Sequence, residues 1–232
     1  KLNRDLQGIR RLAASLKGRA LETVRLVSTP TIAISVLPEA MTLWRREYPE
    51  TRCELGTHHT SEIVNTLRLG EADLALSLQD PRHPGIVAEP IAQGVMTVIA
   101  PAGTWTEEEC RQPISAEGLV GELIGMTDND PLGELLVASC EAQGIHPVFN
   151  TVVQTYQIAR SLVEAGAGMA VVDPFTAASA SESKLQRRAW APALPVQLYL
   201  LTASHSPLSH VARELANSIG ATARKCIERG CQ

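Results

Sequence analysis

Aromatic residues are scarce, at 3% of 232 residues, so no platform for stacking bases is visible. An excess of positive charge is missing too. The formal net charge is −4 and the pI about 5.9, a balance that excludes an electrostatic grip on nucleic acid by this chain alone. The five cysteines, Cys53, Cys110, Cys140, Cys226 and Cys231, are odd in number and form no C-x-x-C pair. That argues against a disulfide framework or a zinc cluster and favours a reducing cytoplasm. Cys231, near the end, reads as an exposed thiol open to oxidation. No apolar run reaches the length of a membrane span, and the N-terminus lacks the apolar core of a secretory signal. The chain opens on Lys1 rather than Met, so an upstream piece is expected. Signatures of catalysis are also lacking. Ser28, Ser61 and Ser77 stand in no G-x-S-x-G context, and no nucleophile–base constellation emerges.

What remains is an ordinary globular composition, 44% hydrophobic and 20% charged, long enough for one large or two small domains. The stretch Leu26-Val27-Ser28-Thr29-Pro30-Thr31-Ile32 anchors the reading. An apolar run ends in three hydroxyls and a proline, and a helical pattern then runs to Tyr48-Pro49. A strand that turns straight into a helix leaves backbone N–H groups unpaired. With Ser28, Thr29 and Thr31 beside them, the stretch is a candidate seat for an anion or carboxylate. Plain capping of the helix by Ser or Thr is the competing reading.

The chain then alternates between short apolar runs and helical patterns. Strands are expected at 24–27, 52–56, 73–78, 86–91, 95–100, 123–126, 148–153, 169–172 and 196–201. Helices are expected at 31–48, 61–69, 134–143, 156–164 and 207–229, with a loop or short helix over 177–184. Such alternation implies an α/β fold with mainly parallel sheets flanked by helices. Pro101-Ala102-Gly103 reads as a crossover between two similar Rossmann-like lobes. The first lobe is placed at 23–100, with 203–232 returning to it, and the second at 101–202. Lys1 to Arg19 reads as a basic amphipathic helix. It is either packed on its own domain or the tail of a longer linker or dimerisation helix, and the pattern does not choose.

Ligands of open α/β sheets bind beyond the carboxyl ends of the strands, so a cleft between the lobes is the default site. Its lining is expected from Ser28, Thr29, Thr31, Thr57, His58, His59, Asp80, Asp128, Asn129, Thr155, Pro174 and Phe175. No metal is assigned. His58 and His59 are adjacent and lack a third ligand at helical spacing, and Asp128-Asn129-Asp130 lacks the later glycine and glutamate of a calcium loop. Gly166-Ala167-Gly168 follows a helix instead of opening one, so it reads as a helix stop and not a phosphate loop. No cofactor is expected.

Three segments carry a resemblance. Val27-Ser28-Thr29-Pro30 followed by Leu37-Pro38, Leu67-Arg68-Leu69-Gly70-Glu71-Ala72-Asp73-Leu74-Ala75-Leu76, and Leu162–Val172 resemble, in order, the effector-binding domain of LysR-type transcriptional regulators. The likeness covers nearly the whole chain. It implies a type II periplasmic-binding-protein-like pair of lobes joined by crossover strands, with a small effector between them. It also implies promoter DNA bound by an N-terminal winged helix-turn-helix missing from this chain, and a homo-oligomer: a dimer of this domain and a tetramer at full length. Lys1–Arg19 then matches the end of the linker helix, spanning 1–22. An amino-acid-like or opine-like effector with a carboxylate suits the polarity of the loops. His58-His59 and Asp128-Asn129-Asp130 depart from common members. The runner-up is a solute-binding protein of a transport system, and an α/β transferase comes third.

Overall fold

A computed structural model describes residues 22–181 and 183–230. Lys1–Arg19, and with it the expected linker helix, lies outside the described residues, as does Cys231. The chain divides into two compact units. One holds the chain up to Ala92 together with Leu198–Thr222, and the other holds Gln93–Gln197 together with the chain from Ala223 on.

The first unit is built on β1 (Thr23–Ser28), β2 (Arg52–Thr57), β3 (Leu74–Ser77), β4 (Ile86–Val95) and β10 (Pro195–Ala203). Their order in the sheet is β2-β1-β3-β10-β4. β1 is parallel to β2 and β3, whereas β10 runs antiparallel to β3. The sheet is therefore mixed rather than mainly parallel. The expected helix over 31–48 is two helices, α1 (Pro30–Ser35) and α2 (Leu37–Glu47), joined at Val36. Pro38 has no N–H to donate to the preceding turn, so the helical ladder is interrupted there and restarts with Pro38 in the first turn of α2. α3 (Thr60–Arg68) follows, and Gly70 at φ 66° closes it. The Gly70 and Glu71 N–H groups donate to the Leu67 and Thr66 carbonyls, as a left-handed glycine cap requires. Beneath the sheet Val27, Ile63, Leu67, Ala72, Ala75 and Leu201 form one apolar cluster.

The second unit carries β5 (Thr97–Pro101), β6 (Leu123–Met126), β7 (Thr151–Val153), β8 (Met169–Val172) and β9 (Leu185–Ala189), in the order β7-β6-β8-β5-β9. β6 is parallel to β7 and β8, and β5 is antiparallel to both β8 and β9. Its helices are α4 (Glu107–Cys110), α5 (Pro131–Ala142), α6 (Tyr156–Glu164) and α7 (Pro174–Ala178), and α8 (His210–Gly230) begins in the first unit and ends in the second.

Several expectations need correction. β4 is one continuous strand through Gln93-Gly94, and the break comes at Met96, whose N–H donates to the Leu194 carbonyl. Residues 97–100 belong to the second sheet and not to the first lobe, because β5 pairs with β8 and β9. The division at the other crossover lies at Gln197/Leu198, and the end of α8 packs with the second unit. Leu185–Ala189 is a strand that the sequence reading missed, since Arg187-Arg188 interrupts the apolar pattern.

Gly166-Ala167-Gly168 behaves as a helix stop. Gly166 at φ 85° ends α6, and the Ala167 N–H donates to the Leu162 carbonyl at 3.0 Å. Gly168, at φ 133°, brings the chain against Glu122, where a Cβ would lie 2.2 Å from the carbonyl oxygen. Only glycine combines that backbone angle with that approach.

Candidate functional site

In the first unit three strand ends are brought side by side by register. Ser28 pairs with Thr57 across β1–β2 and with Leu76 across β1–β3, so Ser28, Thr57 and Ser77 share one rim. The rim is stitched by main-chain bonds: the His58 N–H donates to the Ser28 carbonyl at 3.0 Å, and the Thr29 N–H to the Leu76 carbonyl at 3.1 Å. Ser28 and Ser77 are fully buried, and Thr31 is nearly so. The Ser77 hydroxyl meets the Thr60 hydroxyl at 3.1 Å and accepts from the Gln79 N–H at 3.0 Å. Thr60 lies in the turn Thr57–Thr60 expected to line the rim, whereas Ser77 is a rim residue that the sequence reading does not single out. The signal was available, since Ser77 ends its strand as Ser28 does.

Thr29 stands at the N-cap of α1 but makes no side-chain cap bond. Its Oγ1 is buried and has no hydrogen-bond partner. The first bond within this helix runs from the Ala33 N–H to the Thr29 carbonyl. The N–H groups of Thr31 and Ile32 therefore precede the helical ladder. A buried hydroxyl without a partner is costly and calls for explanation.

The remaining candidates in this unit are more exposed. His58 is half-buried, and its Nδ1 lies 3.6 Å from Glu62 Oε2. His59 precedes α3 on the surface, and its N–H donates to the Glu62 carboxylate at 3.2 Å. Thr57 is exposed at the end of β2. Asp80 lies on an exposed loop, where Oδ1 accepts from the Arg82 N–H at 2.8 Å. Among the described residues no group of three or more His, Cys, Asp or Glu could hold a metal ion.

The second unit's rim has a different chemistry. Thr127 leaves β6 with its N–H on the Val153 carbonyl, and Asp128 and Asn129 follow as exposed residues. Asp130 caps α5: its Oδ2 accepts from the Gly133 N–H at 2.7 Å and from the Tyr156 hydroxyl at 2.5 Å. Burial first, and the Asp130 carboxylate second, push the Tyr156 hydroxyl far above the usual phenol range. Thr155 caps α6 through the Ile158 N–H at 3.3 Å.

Asp173, fully buried, caps α7. Its Oδ1 accepts from the Phe175 and Thr176 N–H groups at 2.9 and 3.0 Å, and its Oδ2 from the Thr176 hydroxyl at 2.6 Å. Pro174 and Phe175 are buried as well. The Phe175 side chain is among the largest fully enclosed ones in the chain, and Pro174 sits where a Cβ on Gly94 would come within 2.7 Å. The sequence reading thus gathered Asp128, Asn129 and Thr155 at a surface rim, while Phe175 is part of the apolar interior.

No described helix is long and apolar enough to cross a membrane. Residues 17–224 match the family model described as the LysR substrate binding domain. The chain is 27% identical over 220 residues to the HTH-type transcriptional regulator DgcR of Pseudoalteromonas sp., covering 94% of this chain and 75% of that protein. It is 24% identical over 212 residues to the regulatory protein NocR of Agrobacterium tumefaciens, covering 90% and 69%. Among solved structures, HinK, a LysR family transcriptional regulator from Pseudomonas aeruginosa, superimposes with a TM-score of 0.72 at 19% identity, over 96% of this chain and 79% of that one. The BenM effector binding domain with its effector benzoate gives 0.72 at 20% identity, over 86% and 91%. These two likenesses bear on the fold, which is of the periplasmic-binding-protein-like type. The match across nearly the whole sequence places this chain in the LysR substrate-binding-domain family, the effector-binding part of transcriptional regulators.

Proposed function

We propose that this chain is the ligand-sensing part of a cytoplasmic transcription regulator, and that a small carboxylate-bearing effector binds at Ser28, Thr29 and Thr31. The observation that carries this reading is the buried Thr29 Oγ1, which has no hydrogen-bond partner at a strand exit lined with hydroxyls. A carboxylate oxygen there would accept from that hydroxyl and from the first-turn N–H groups of α1. Thr57, His58, His59 and Asp80 border the same rim. Asp128 and Asn129, exposed in the second unit, are the proposed contacts for a cationic group such as an amine or guanidinium, with Thr155 at the neighbouring strand exit of that unit. This combination suits amino-acid-like or opine-like molecules.

Effector binding would act by favouring one conformation over another through contacts that differ between them. Promoter DNA would be bound by a winged helix-turn-helix outside this sequence. A homodimer of this domain, and a tetramer at full length, fits the apolar groups left exposed at β2, where Leu55 is 53% exposed, and at β7, where Val152 is 53% exposed. Edge strands with exposed apolar side chains attract a partner.

The test is a thermal-shift screen of amino acids, opines and aromatic acids against the purified chain, followed by calorimetry with the ligand found. Thr29→Ala is expected to weaken binding about tenfold, the loss of one charge-assisted hydrogen bond, and Ser28→Ala by less, since the Ser28 hydroxyl already donates to the Thr29 carbonyl at 3.0 Å, both without unfolding the chain. Unchanged affinity in both variants would remove this seat. Family membership favours this reading over a transport solute-binding protein.

A further inference from the structure

A buried polar seam joins α6 to the start of α7 in the second unit. Gln157, in the first turn of α6, is 8% exposed, and Asp173 and Thr176 opposite it are fully buried. Arg160 continues the seam one turn on, where Nη1 donates to the Ser179 carbonyl at 3.1 Å and to the Ser179 hydroxyl at 2.8 Å. The seam adjoins the rim already described. The negative charge of Asp173 acts on the Tyr156 hydroxyl, which donates to Asp130.

This network has a direction. The Thr176 hydroxyl has one proton, and it is given to Asp173 Oδ2 at 2.6 Å. Toward Gln157 the same oxygen can therefore only accept. The Gln157 amide turns its Nε2 to it, at 3.4 Å. Turned the other way, the amide would set oxygen against oxygen, so Asp173 fixes its orientation through the hydroxyl. Gln157 Oε1 is then the end of the chain. It is buried and has no hydrogen-bond partner among the described residues. An amide oxygen enclosed without a donor is costly, and what it requires is an N–H or O–H and not another acceptor.

We infer that Gln157 Oε1 is an effector contact that selects amino acids and other N–H-bearing carboxylates over α-keto acids of the same skeleton. The inference rests on the effector reading above and narrows its ligand class. An amino acid brings donors beside its carboxylate, whereas the matching α-keto acid brings an oxygen. A site that hydrogen-bonds one group rejects the analogue lacking it, because its own polar atom is then left unpaired. Oε1 is enclosed, so a ligand reaches it only when the first turn of α6 moves. The hydrogen bond from an amine offsets that movement, and a keto oxygen does not.

The test is calorimetry on the purified chain with matched pairs: alanine and pyruvate, glutamate and α-ketoglutarate, leucine and its α-keto acid. The parent should bind an amino acid about tenfold or more tightly than its keto partner. Gln157→Met, similar in length, should weaken the amino acid about tenfold and leave the keto acid within about twofold of its parent value. A role confined to packing would weaken both members of the pair alike. Thr29→Ala should also weaken both alike, since both carry the carboxylate. If Gln157→Met acts as expected and Thr29→Ala changes nothing, the carboxylate seat falls and this inference stands. The reverse result overturns the inference and leaves the seat. The parent's own preference reads the same point without a variant, and a keto acid bound as tightly as its amino acid overturns the inference. So does the absence of binding by every pair, whereas the effector reading falls only if the wider screen is empty as well.

Discussion

The two units solve the same local problem, a strand running into a helix, with opposite chemistry. In the second unit each helix start beyond a parallel strand is closed by its own side chain: Asp130 on α5, Thr155 on α6 and Asp173 on α7. In the first unit Thr29 before α1 makes no side-chain cap bond, whereas α3 opens with a capping box between His59 and Glu62. A cap satisfied from within is stability already gained. A cap left open, with a buried hydroxyl beside it, is a cost that a ligand can relieve. Asp and Thr at a helix start are therefore not equal evidence for a binding site. What distinguishes them is whether the oxygen already has a donor.

That contrast can be broken by mutation, and the largest effect is expected at Asp173. Asp173→Ala removes an acceptor of three hydrogen bonds and strands buried donors, so urea unfolding should show a loss of about 3 kcal/mol or more. Asp130→Ala removes the α5 cap and the partner of the Tyr156 hydroxyl, and should cost about 2 kcal/mol by the same measurement. Thr155→Ala loses one cap bond and should cost about 1 kcal/mol. Thr29→Ala, by contrast, should shift stability by less than about 0.5 kcal/mol while changing ligand affinity, since its hydroxyl bonds to nothing in the fold. A Thr29 variant as unstable as the Asp130 one would erase the distinction between the rims.

A further effect is pH-dependent and lies on β2, away from both sets of caps. Burial raises the Cys53 thiol to about 11 from an ordinary value of 9.0, with Arg45 opposing the shift. The unfolded chain thus releases this proton at lower pH than the folded one. The contribution to stability is complete below pH 9.0 and is lost as pH rises through about 11. Cys53→Ala should lose less of its urea midpoint than the parent between those two values. Parallel slopes for the two proteins would show that Cys53 does not contribute.

Much of this architecture could be read from the residues. The α6 helix, Tyr156–Glu164, and the strands Leu123–Met126 and Met169–Val172 fall where periodicity and glycine stops put them. The helix stop at Gly166 was legible because only glycine adopts that backbone cheaply. β9 was not legible. Its sequence, Leu-Gln-Arg-Arg-Ala, has no apolar alternation, and pairing with β5, more than eighty residues earlier, makes it a strand. Val148 was read as strand but is 73% exposed outside β7, since a β-branched residue signals a strand only where a neighbour pairs with it.

The candidate site divides in the same way. The run Ser28-Thr29-Pro30-Thr31 by itself determined a strand exit rich in hydroxyls, because turn and capping chemistry is local. The alternation of strand and helix determined the α/β class for a related reason: the spacing of apolar residues records which face of each element is covered. Tertiary structure alone decided that Ser77 joins Thr60 at the rim, that Phe175 is enclosed in the interior, and that Thr29 Oγ1 is buried without a partner. Those outcomes depend on groups far apart in the chain, and no local pattern specifies which distant donor or apolar surface will arrive beside a given atom.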